Sequence, residues 1–469
     1  MHSKQPHRKA SGRFSSSSQL VLLTGVTLLA VVLRFYKLGE WSFWVDEISM
    51  IGRAVDFPNI PLFSRSATLA VMHYFLNWSG VDEWSARLIP SLIGMISIPV
   101  LYFPIRKIFD PWVALISVLL LAVSPWHLYW SQNARFYTSL LLFFNLSLLF
   151  FYLGMEKDRL WYLILSICFL GLAFFERHIA LFLGPVMVGY LVLLKLLSFE
   201  LPVGLRFRNI GVLSLPVLVC APIAAPAFFN MTVDFVESYA ELAQNSPFWT
   251  LAGSLYYIGI PTLIAGCLGL VFLYLQKNRA FLILGLGALI PMAATFVLSF
   301  FTYTANRYIF ISLVCWLVLA AVGAAELIKQ SQGTVRFLAA GMLLVLFFVP
   351  MSENTLYYQY QNGNRANWRA AVELVKQRKE DGDRVVSSKR AIAEYYLGEH
   401  VTSYNFVDLP DLDKSQTKVW FIVDNSGEVA DPKFTQWIRR NATLVEVFDT
   451  HVEARNFRMR VYRYDPGMQ

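Results

Sequence analysis

The stretch that decides the fold is LVLLTGVTLLAVVLRFYKLGEWSFWVDE, residues 20–47. It opens with an apolar run that ends at Leu33, and a helix that crosses a membrane needs roughly 20 mostly apolar residues. A cleaved secretory signal would continue with a small-x-small site, whereas a basic and aromatic segment follows here. We therefore expect a retained transmembrane helix at about residues 18–38, preceded by a cytoplasmic tail at residues 1–17.

Apolar runs of the same kind recur along the chain, which is 56% hydrophobic and 15% charged, whereas soluble proteins carry about 25% charged residues. With the first run they predict about eleven transmembrane helices, at residues 18–38, 88–105, 112–130, 136–154, 160–176, 179–199, 209–229, 251–275, 280–300, 308–328 and 335–350. The span at 209–229 holds three prolines and is expected to be kinked, since neighbouring helices can satisfy the freed backbone groups. The sequence thus indicates a polytopic α-helical membrane protein.

The charges lie unevenly between the predicted loops. With the N-terminus in the cytoplasm, the inside segments carry 15 basic and 5 acidic residues, and the outside segments before residue 351 carry 8 basic and 10 acidic residues. The resulting +10 inside and −2 outside follow the positive-inside rule. The net charge of +8 therefore reflects orientation in a membrane, and we expect membrane lipids and no nucleic acid as partners.

The chain changes character at residue 351. Residues 351–469 hold 17 basic and 17 acidic residues, and an odd number of spans places them outside. Asn367 could cap a helix with apolar residues at i, i+3, i+4 and i+7, and strands are predicted at 384–386, 419–423, 444–448 and 459–464. We therefore divide the chain into a membrane domain at 18–350 and a small extracytoplasmic α/β domain at 351–469. All four cysteines fall inside predicted spans, so we expect neither a disulfide framework nor a zinc site.

The first outer loop, residues 39–87, carries an acidic pair near its start. Asp46 and Glu47 precede apolar residues at helical spacing, which predicts a short helix on the membrane surface. One interpretation is that the pair caps this helix, because the helix dipole favours carboxylates near its N-terminus. Adjacent helical residues point about 100° apart, so at most one of the two is expected to face a given cavity.

Other polar side chains gather at the outer ends of the predicted spans, chiefly in segments 124–137 and 302–308. Ionisable groups near membrane depth are costly and are usually functional or paired. Arginines can also snorkel to the interface, and a lone histidine is more often a packing residue than a ligand. The candidates for an outer site are Asp46, Glu47, His73, His127, Arg135, Tyr137, His178, Arg307 and Tyr308.

Four segments resemble the GT-C superfamily of membrane glycosyltransferases, in particular the protein O-mannosyltransferase and lipid A aminoarabinose transferase group (glycosyltransferase family 39-like, PMT-like). They are WVDE at 44–47, HYFL at 73–76 with EWSARLIPSL at 83–92, SPWHLYWSQNARFY at 124–137, and RY at 307–308. The likeness covers roughly residues 15–330. Relatives often carry Glu or Asp where Asn133 stands, which weakens any expectation of a metal and leaves Asp46 as the main acidic candidate.

The resemblance implies a GT-C fold and transfer of a sugar from a polyprenyl-phosphate donor to a hydroxyl of a lipid, glycan or protein. The expected location is the outer face of the bacterial plasma (inner) membrane. Asp46 would act as the base, Glu47 would orient it or bind the acceptor, and direct attack would invert the anomeric centre. Arg135, Arg307 and Tyr308 would bind the donor phosphate, where negative charge develops.

The remaining cavity candidates implied in this way are His73, His127, Tyr137 and His178. No cofactor is predicted with certainty, and a divalent metal ion is conceivable without support from the sequence. The C-terminal domain is expected to be non-catalytic and to cover the active site or help choose the acceptor.

Two other classes of protein compete with this interpretation. A transporter or flippase of envelope lipids or glycans would have internal repeats and broken helices with polar groups at mid-membrane. No clear repeat is visible, and the polar residues lie at the ends of the spans. A non-enzymatic assembly factor of an envelope complex is the third possibility.

Overall fold

The computed structural model describes residues 16–240, 246–330, 333–404, 417–452 and 455–466, so that most of the predicted N-terminal tail lies outside the described residues. The α-helices are α1 (Ser16–Phe35), α2 (Val45–Val55), α3 (Ala67–Ser79), α4 (Glu83–Ile108), α5 (Pro111–Val123), α6 (Pro125–Ser131), α7 (Tyr137–Lys157), α8 (Leu160–Glu176), α9 (Leu183–Leu196), α10 (Phe207–Ala240), α11 (Pro247–Ile258), α12 (Ile260–Leu275), α13 (Ala280–Leu298), α14 (Leu313–Gln330), α15 (Thr334–Gln359), α16 (Trp368–Arg378), α17 (Arg390–Leu397), α18 (Asn425–Ala430) and α19 (Pro432–Asn441). Short 3₁₀ segments lie at Phe57–Asn59, Leu62–Ser64, His178–Phe182, Asn306–Ser312 and Asn362–Asn364.

Each predicted transmembrane span coincides with an apolar helix or a bent pair of helices. Seven helices are long and apolar enough to cross a membrane, or nine if each bent pair is one span. The predicted spans at 160–176 and 209–229 coincide with shorter apolar helices, Leu160–Glu176 and Phe207–Val219. The described residues thus give seven to nine spans by length and composition, against about eleven predicted. The chain is a multi-pass membrane protein.

The two bends have local causes. The chain turns by 60° between α5 and α6, where Pro125 lacks the amide proton that a continuous helix requires and the Ser124 hydroxyl accepts a hydrogen bond from the amide of His127. It turns by 86° between α11 and α12, where Gly259 has a φ of 86°, a conformation that favours glycine. The segment that follows the first bend, residues 131–136, contacts α2.

Helices α7 and α14 form the centre of the bundle. In their most apolar windows 89% and 94% of the residues are buried, against 17% for α1 and α15 at its edge. α12 lies against α14 with glycine at the contact, because a Cβ at Gly269 would collide with the carbonyl oxygen of Leu319 and one at Gly323 with that of Ala265. Small residues allow such close approach of helices in membranes.

The C-terminal part contains a mixed sheet, as the sequence predicted. Its strands are β1 (Arg384–Ser387), β2 (Thr402–Ser403), β3 (Val419–Asp424), β4 (Thr443–Phe448) and β7 (Met459–Tyr464), and a separate hairpin pairs β5 (His451–Val452) with β6 (Arg455–Asn456). The strand order is β2-β1-β3-β7-β4, with β1 parallel to β2 and β3, and β7 antiparallel to β3 and β4.

Alternation along these strands places apolar residues on both faces of the sheet. Trp420 and Ile422 pack with α16 and α17 on one face, whereas Phe421 and Val423 pack with α19 on the other. The Asn367 side chain caps α16 by accepting a hydrogen bond from the Ala370 amide, as the sequence predicted. The sheet is therefore the middle of three layers.

The helix that ends the predicted membrane domain, α15, continues to Gln359, nine residues beyond the predicted boundary.

The close contact of α12 and α14 yields a first prediction. Gly323→Ala places a methyl group against the backbone of Ala265, which cannot rotate away, and overpacking of this kind typically costs about 1–3 kcal/mol. We expect a lower midpoint of thermal unfolding in detergent. The matched control is Gly341→Ala in α15, where an added Cβ meets open space, and an equal loss of stability in both variants would contradict the prediction.

Candidate active site

The predicted acidic pair lies in the first turn of α2, which extends from Val45 to Val55 as a short helix beside the bundle. The Glu47 side chain is fully buried, whereas 27% of the Asp46 side chain is exposed. The two carboxylates therefore lie in different environments, because adjacent residues of a helix point in different directions.

Asp46 contacts two arginines from distant parts of the chain. Arg307 Nη1 donates to Asp46 Oδ2 at 3.0 Å, and Arg135 Nη2 lies 3.8 Å from the same oxygen. Arg135 Nη1 also donates to the Asp46 carbonyl oxygen at 2.9 Å. Two cations face one carboxylate, so the cluster carries an excess positive charge. The structure thus brings together the three side chains that the sequence singled out first.

Aromatic rings lie beside the Arg135 guanidinium. The Arg135 guanidinium lies 5.0 Å from the ring centre of Phe136 and 5.8 Å from that of Tyr137. Such cation–π contacts attract a guanidinium to the face of a ring. Tyr308 follows Arg307 in the 3₁₀ segment and is close enough to Tyr137 and Arg307 to interact electrostatically with both. Tyr137 and Tyr308 therefore border the same cluster.

Glu47 is the most strongly bound carboxylate in this region. Arg87 holds it through two hydrogen bonds, Nε to Oε1 at 2.8 Å and Nη2 to Oε2 at 2.9 Å. The Ala134 amide donates to Oε1 at 2.9 Å, and Arg365 Nη1 lies 3.4 Å from Oε2. Burial alone would raise the pKa of Glu47, but Arg365 and Arg87 hold that pKa below its ordinary value of 4.5.

Arg87 and Arg365 were missed as site residues by the sequence reasoning. Arg87 offered a signal, because it is a charged residue at the start of an apolar span, where such residues are usually paired. Arg365 offered none, since it lies in an ordinary charged segment of the C-terminal part. Its Nη2 also donates to the Gln132 carbonyl oxygen at 3.1 Å, so it joins two segments of the site.

Other residues of the C-terminal part hold the segment that precedes Asp46. The Ser42 hydroxyl donates to the Ala366 carbonyl oxygen at 3.0 Å. The Tyr396 hydroxyl accepts from the Phe43 amide and donates to the Glu83 carboxylate, both at 2.6 Å. The C-terminal part is thus docked directly on the loop that carries the acidic pair.

The three histidine candidates have partners other than Asp46. His127 is buried, and its Nδ1 lies 2.6 Å from Arg34 Nη2. His73 Nδ1 lies 2.7 Å from the Ala54 carbonyl oxygen, and its ring stacks on Phe57. His178 packs edge-on against Phe174 and lines a neighbouring cavity. Among the four additional candidates, Tyr137 is the one in contact with Arg135.

Asn133 is buried, and its Oδ1 accepts a hydrogen bond from the Trp44 indole at 2.6 Å. The amide oxygen is therefore occupied in holding the start of α2. In the part of the chain that the structure describes, no group of three or more His, Cys, Asp or Glu side chains could hold a metal ion.

Comparison with known proteins agrees with this architecture. Residues 67–236 match the family model described as dolichyl-phosphate-mannose-protein mannosyltransferase. Comparison with curated proteins gave no match.

Several solved structures are similar over most of the chain. ArnT from Cupriavidus metallidurans in the apo state is 15% identical, with a TM-score of 0.62 over 96% of this chain and 99% of that chain. ArnT bound to undecaprenyl phosphate is 16% identical, with a TM-score of 0.58 over 96% and 98% of the two chains. The archaeal oligosaccharyltransferase AglB from Archaeoglobus fulgidus, in complex with an inhibitory peptide and a dolichol-phosphate, is 13% identical, with a TM-score of 0.58 over 91% and 71%.

The similarity to ArnT covers 96% of this chain, so it includes both the helical bundle and the C-terminal part. The chain has the GT-C fold of these structures, as the resemblance of the four segments implied, and its residues 67–236 match the mannosyltransferase family model.

Proposed function

We propose that this chain is a membrane glycosyltransferase that moves a sugar from a polyprenyl-phosphate donor to a hydroxyl of a lipid, glycan or protein. The proposal rests on the contact of Asp46 with both Arg135 and Arg307, because a carboxylate able to accept a proton lies beside two guanidinium groups able to bind phosphate. The fold supports it, and so do the undecaprenyl phosphate and dolichol-phosphate bound in ArnT and AglB. By the charge of its loops, the site faces the outside of the bacterial plasma membrane, with the N-terminus in the cytoplasm.

The ion pairs suggest how the donor prepares the base. Without a ligand, Arg307 and Arg135 neutralise Asp46. A phosphate group competes for both guanidinium groups, because arginine binds phosphate through two parallel hydrogen bonds. Asp46 is then released from its ion pairs and is free to accept a proton. Tyr308 lies close enough to contribute a hydroxyl to the same phosphate.

The chemical step is a single displacement at the anomeric carbon. The acceptor oxygen forms a bond to that carbon as its proton passes to Asp46, and the bond from the carbon to the phosphate oxygen breaks. The electron pair leaves with the polyprenyl phosphate, whose charge Arg135 and Arg307 stabilise. Because acceptor and leaving group lie on opposite sides of the sugar, the configuration inverts.

We propose that Glu47 is a positioning residue in this reaction. It is buried and bound by Arg87, Arg365 and the Ala134 amide, so it has no free face for the acceptor. Its neighbour in sequence is the base, and the neighbour of Ala134 is Arg135. One carboxylate therefore holds both partners of the Asp46–Arg135 pair.

A transporter or flippase remains the alternative, and the bent helix pairs α5–α6 and α11–α12 favour it, since transporters use broken helices. A glycosyltransferase accounts better for the contact of Asp46 with Arg135 and Arg307.

The Asp46→Asn variant tests the proposal. We expect transfer of labelled sugar from polyprenyl-phosphate donors in membranes to fall about 100-fold or more, because a positioned general base contributes 10²–10⁴ to the rate. The matched control is Asp56→Asn, an exposed carboxylate at the other end of α2, which is expected to transfer normally. Undiminished transfer in Asp46→Asn would refute the base assignment. Absence of transfer by the unaltered chain with every donor tried, together with movement of the labelled lipid between leaflets, would favour the flippase.

The Glu47→Gln variant tests whether Glu47 holds the surrounding segments together. Removing one partner of a buried ion pair typically costs about 3–5 kcal/mol, because Arg87 would keep a buried charge without its counter-ion. We expect a clear drop in the thermal unfolding midpoint. Asp46→Asn is the matched comparison, since a partly exposed ion pair contributes about 0–1 kcal/mol. Equal stability of the two variants would contradict the role given to Glu47.

A further inference from the structure

A cavity of about 310 Å³ lies along α2 beside the Asp46 cluster. Its lining includes Arg53 from α2, Phe136, and the consecutive residues Glu176 and Arg177 at the end of α8. Asp46, Met50 and Arg53 follow one another at i, i+4 and i+7, so they share one face of the helix. At 1.5 Å per residue, Arg53 stands about 10 Å along the axis from Asp46.

Phe136 separates the cavity from the Asp46 cluster. The Arg135 guanidinium lies 5.0 Å from the centre of its ring and the Arg177 guanidinium lies 5.7 Å from it. The two arginines thus share one aromatic ring, and each belongs to a different compartment. The compartments adjoin closely enough for one substrate to reach from the cavity to Asp46.

The cavity contains positive charge without a matching ion pair. Neither Arg53 nor Arg177 forms a salt bridge with any of the described residues. Arg53 instead donates to the Ser64 carbonyl oxygen at 2.5 Å. Burial lowers the pKa of Arg53, and the nearby charges of Arg177 and Arg135 lower that pKa further. The lining of the cavity thus contains two arginines without a carboxylate partner among the described residues, and such a pair suits an anionic ligand.

The lining of the cavity also includes one buried carboxylate. Glu176 is 4% exposed, and its Oε1 accepts from the Thr68 amide and hydroxyl, both at 2.9 Å. The Ser66 and Ser139 hydroxyls are also close enough to hydrogen-bond to the carboxylate, and its Oε2 is shielded from solvent. Glu176 is therefore held by Thr68 and the neighbouring serines, and it forms no salt bridge with Arg53 or Arg177.

We propose that this cavity is the acceptor subsite and that the acceptor is anionic. Arg53 and Arg177 bind its phosphate or carboxylate group, and the attacking hydroxyl reaches Asp46. This inference rests on the proposed function. The arginines form two groups, Arg135 and Arg307 beside Asp46, and Arg53 and Arg177 in the cavity. This arrangement suits a single displacement, which needs the donor phosphate and the acceptor on opposite sides of the sugar.

The test uses the full chain in detergent and two double variants, Arg53→Met with Arg177→Met, and Arg135→Met with Arg307→Met. Methionine keeps the apolar volume of the arginine stem and removes the charge. Undecaprenyl phosphate at saturating concentration occupies the donor site, and inorganic phosphate is then titrated as the probe of the cavity. Binding is measured as the shift of the thermal unfolding midpoint. The control is Arg65→Met, an arginine of the same loop that bonds to the Ile60 carbonyl oxygen and lies outside the cavity lining.

In Arg53→Met/Arg177→Met we expect affinity for inorganic phosphate to fall at least tenfold while undecaprenyl phosphate still binds, which also shows that the variant is folded. Arg135→Met/Arg307→Met should lose undecaprenyl phosphate, and Arg65→Met should bind both as the unaltered chain does. Unchanged affinity for inorganic phosphate in the first variant would overturn the proposal. Loss of undecaprenyl phosphate in the first variant but not in the second would overturn it too, since the cavity would then be the donor site.

The proposed function can fail separately. If the unaltered chain binds no undecaprenyl phosphate, that function is contradicted, and titration of the ligand-free chain with inorganic phosphate still decides whether Arg53 and Arg177 form an oxyanion site.

Discussion

Glu47 is a carboxylate without exposed surface, and the rest of the site depends on how its charge is satisfied. An ionised group in an apolar interior costs several kcal/mol unless its partners are close and well oriented. Here Arg87 binds it through two hydrogen bonds, the Ala134 amide through a third, and Arg365 adds a second positive charge. Glu47 therefore connects its own segment to three others that are far away in sequence.

This arrangement fixes the reactive cluster at its neighbours. Asp46 precedes Glu47 on α2, and Arg135 follows Ala134 in the segment after the bend at Pro125. Because Glu47 binds the Ala134 amide, the neighbouring residues Asp46 and Arg135 are held next to each other. Arg307 completes the cluster from the start of the late 3₁₀ segment. The partly exposed charges to which we assign the chemistry are thus held in place by the fully buried charge of Glu47.

The C-terminal part takes part in the same network. Arg365 reaches Glu47, and Ser42 and Tyr396 fix the chain that leads to α2. These contacts support a role in holding the site, in addition to the covering or selecting role that the sequence suggested. They also account for the continuation of α15 to Gln359, which carries the chain directly to the buried Arg365.

Much of the fold was predictable, because the length of an apolar run and the alternation along a strand are local properties. The spans, the cap at Asn367 and the four long strands follow from them. The meeting of Asp46 with Arg135 and Arg307 was anticipated through the resemblance of three short segments. The ion pairs of Glu47 with Arg87 and Arg365 were not, since a partner 40 or 318 positions away leaves no periodic trace. The contacts of the three histidines could not be predicted for the same reason, because polarity in a loop does not reveal which group a side chain contacts.

The central claim is that Arg135 and Arg307 bind the donor phosphate and in doing so free Asp46. A structure of the full chain with undecaprenyl phosphate bound tests it most directly. The account predicts phosphate oxygens within hydrogen-bonding distance of both guanidinium groups and a separation of Asp46 Oδ2 from Arg307 Nη1 well beyond the present 3.0 Å. A phosphate bound elsewhere, with the ion pair of Asp46 and Arg307 intact, would contradict it.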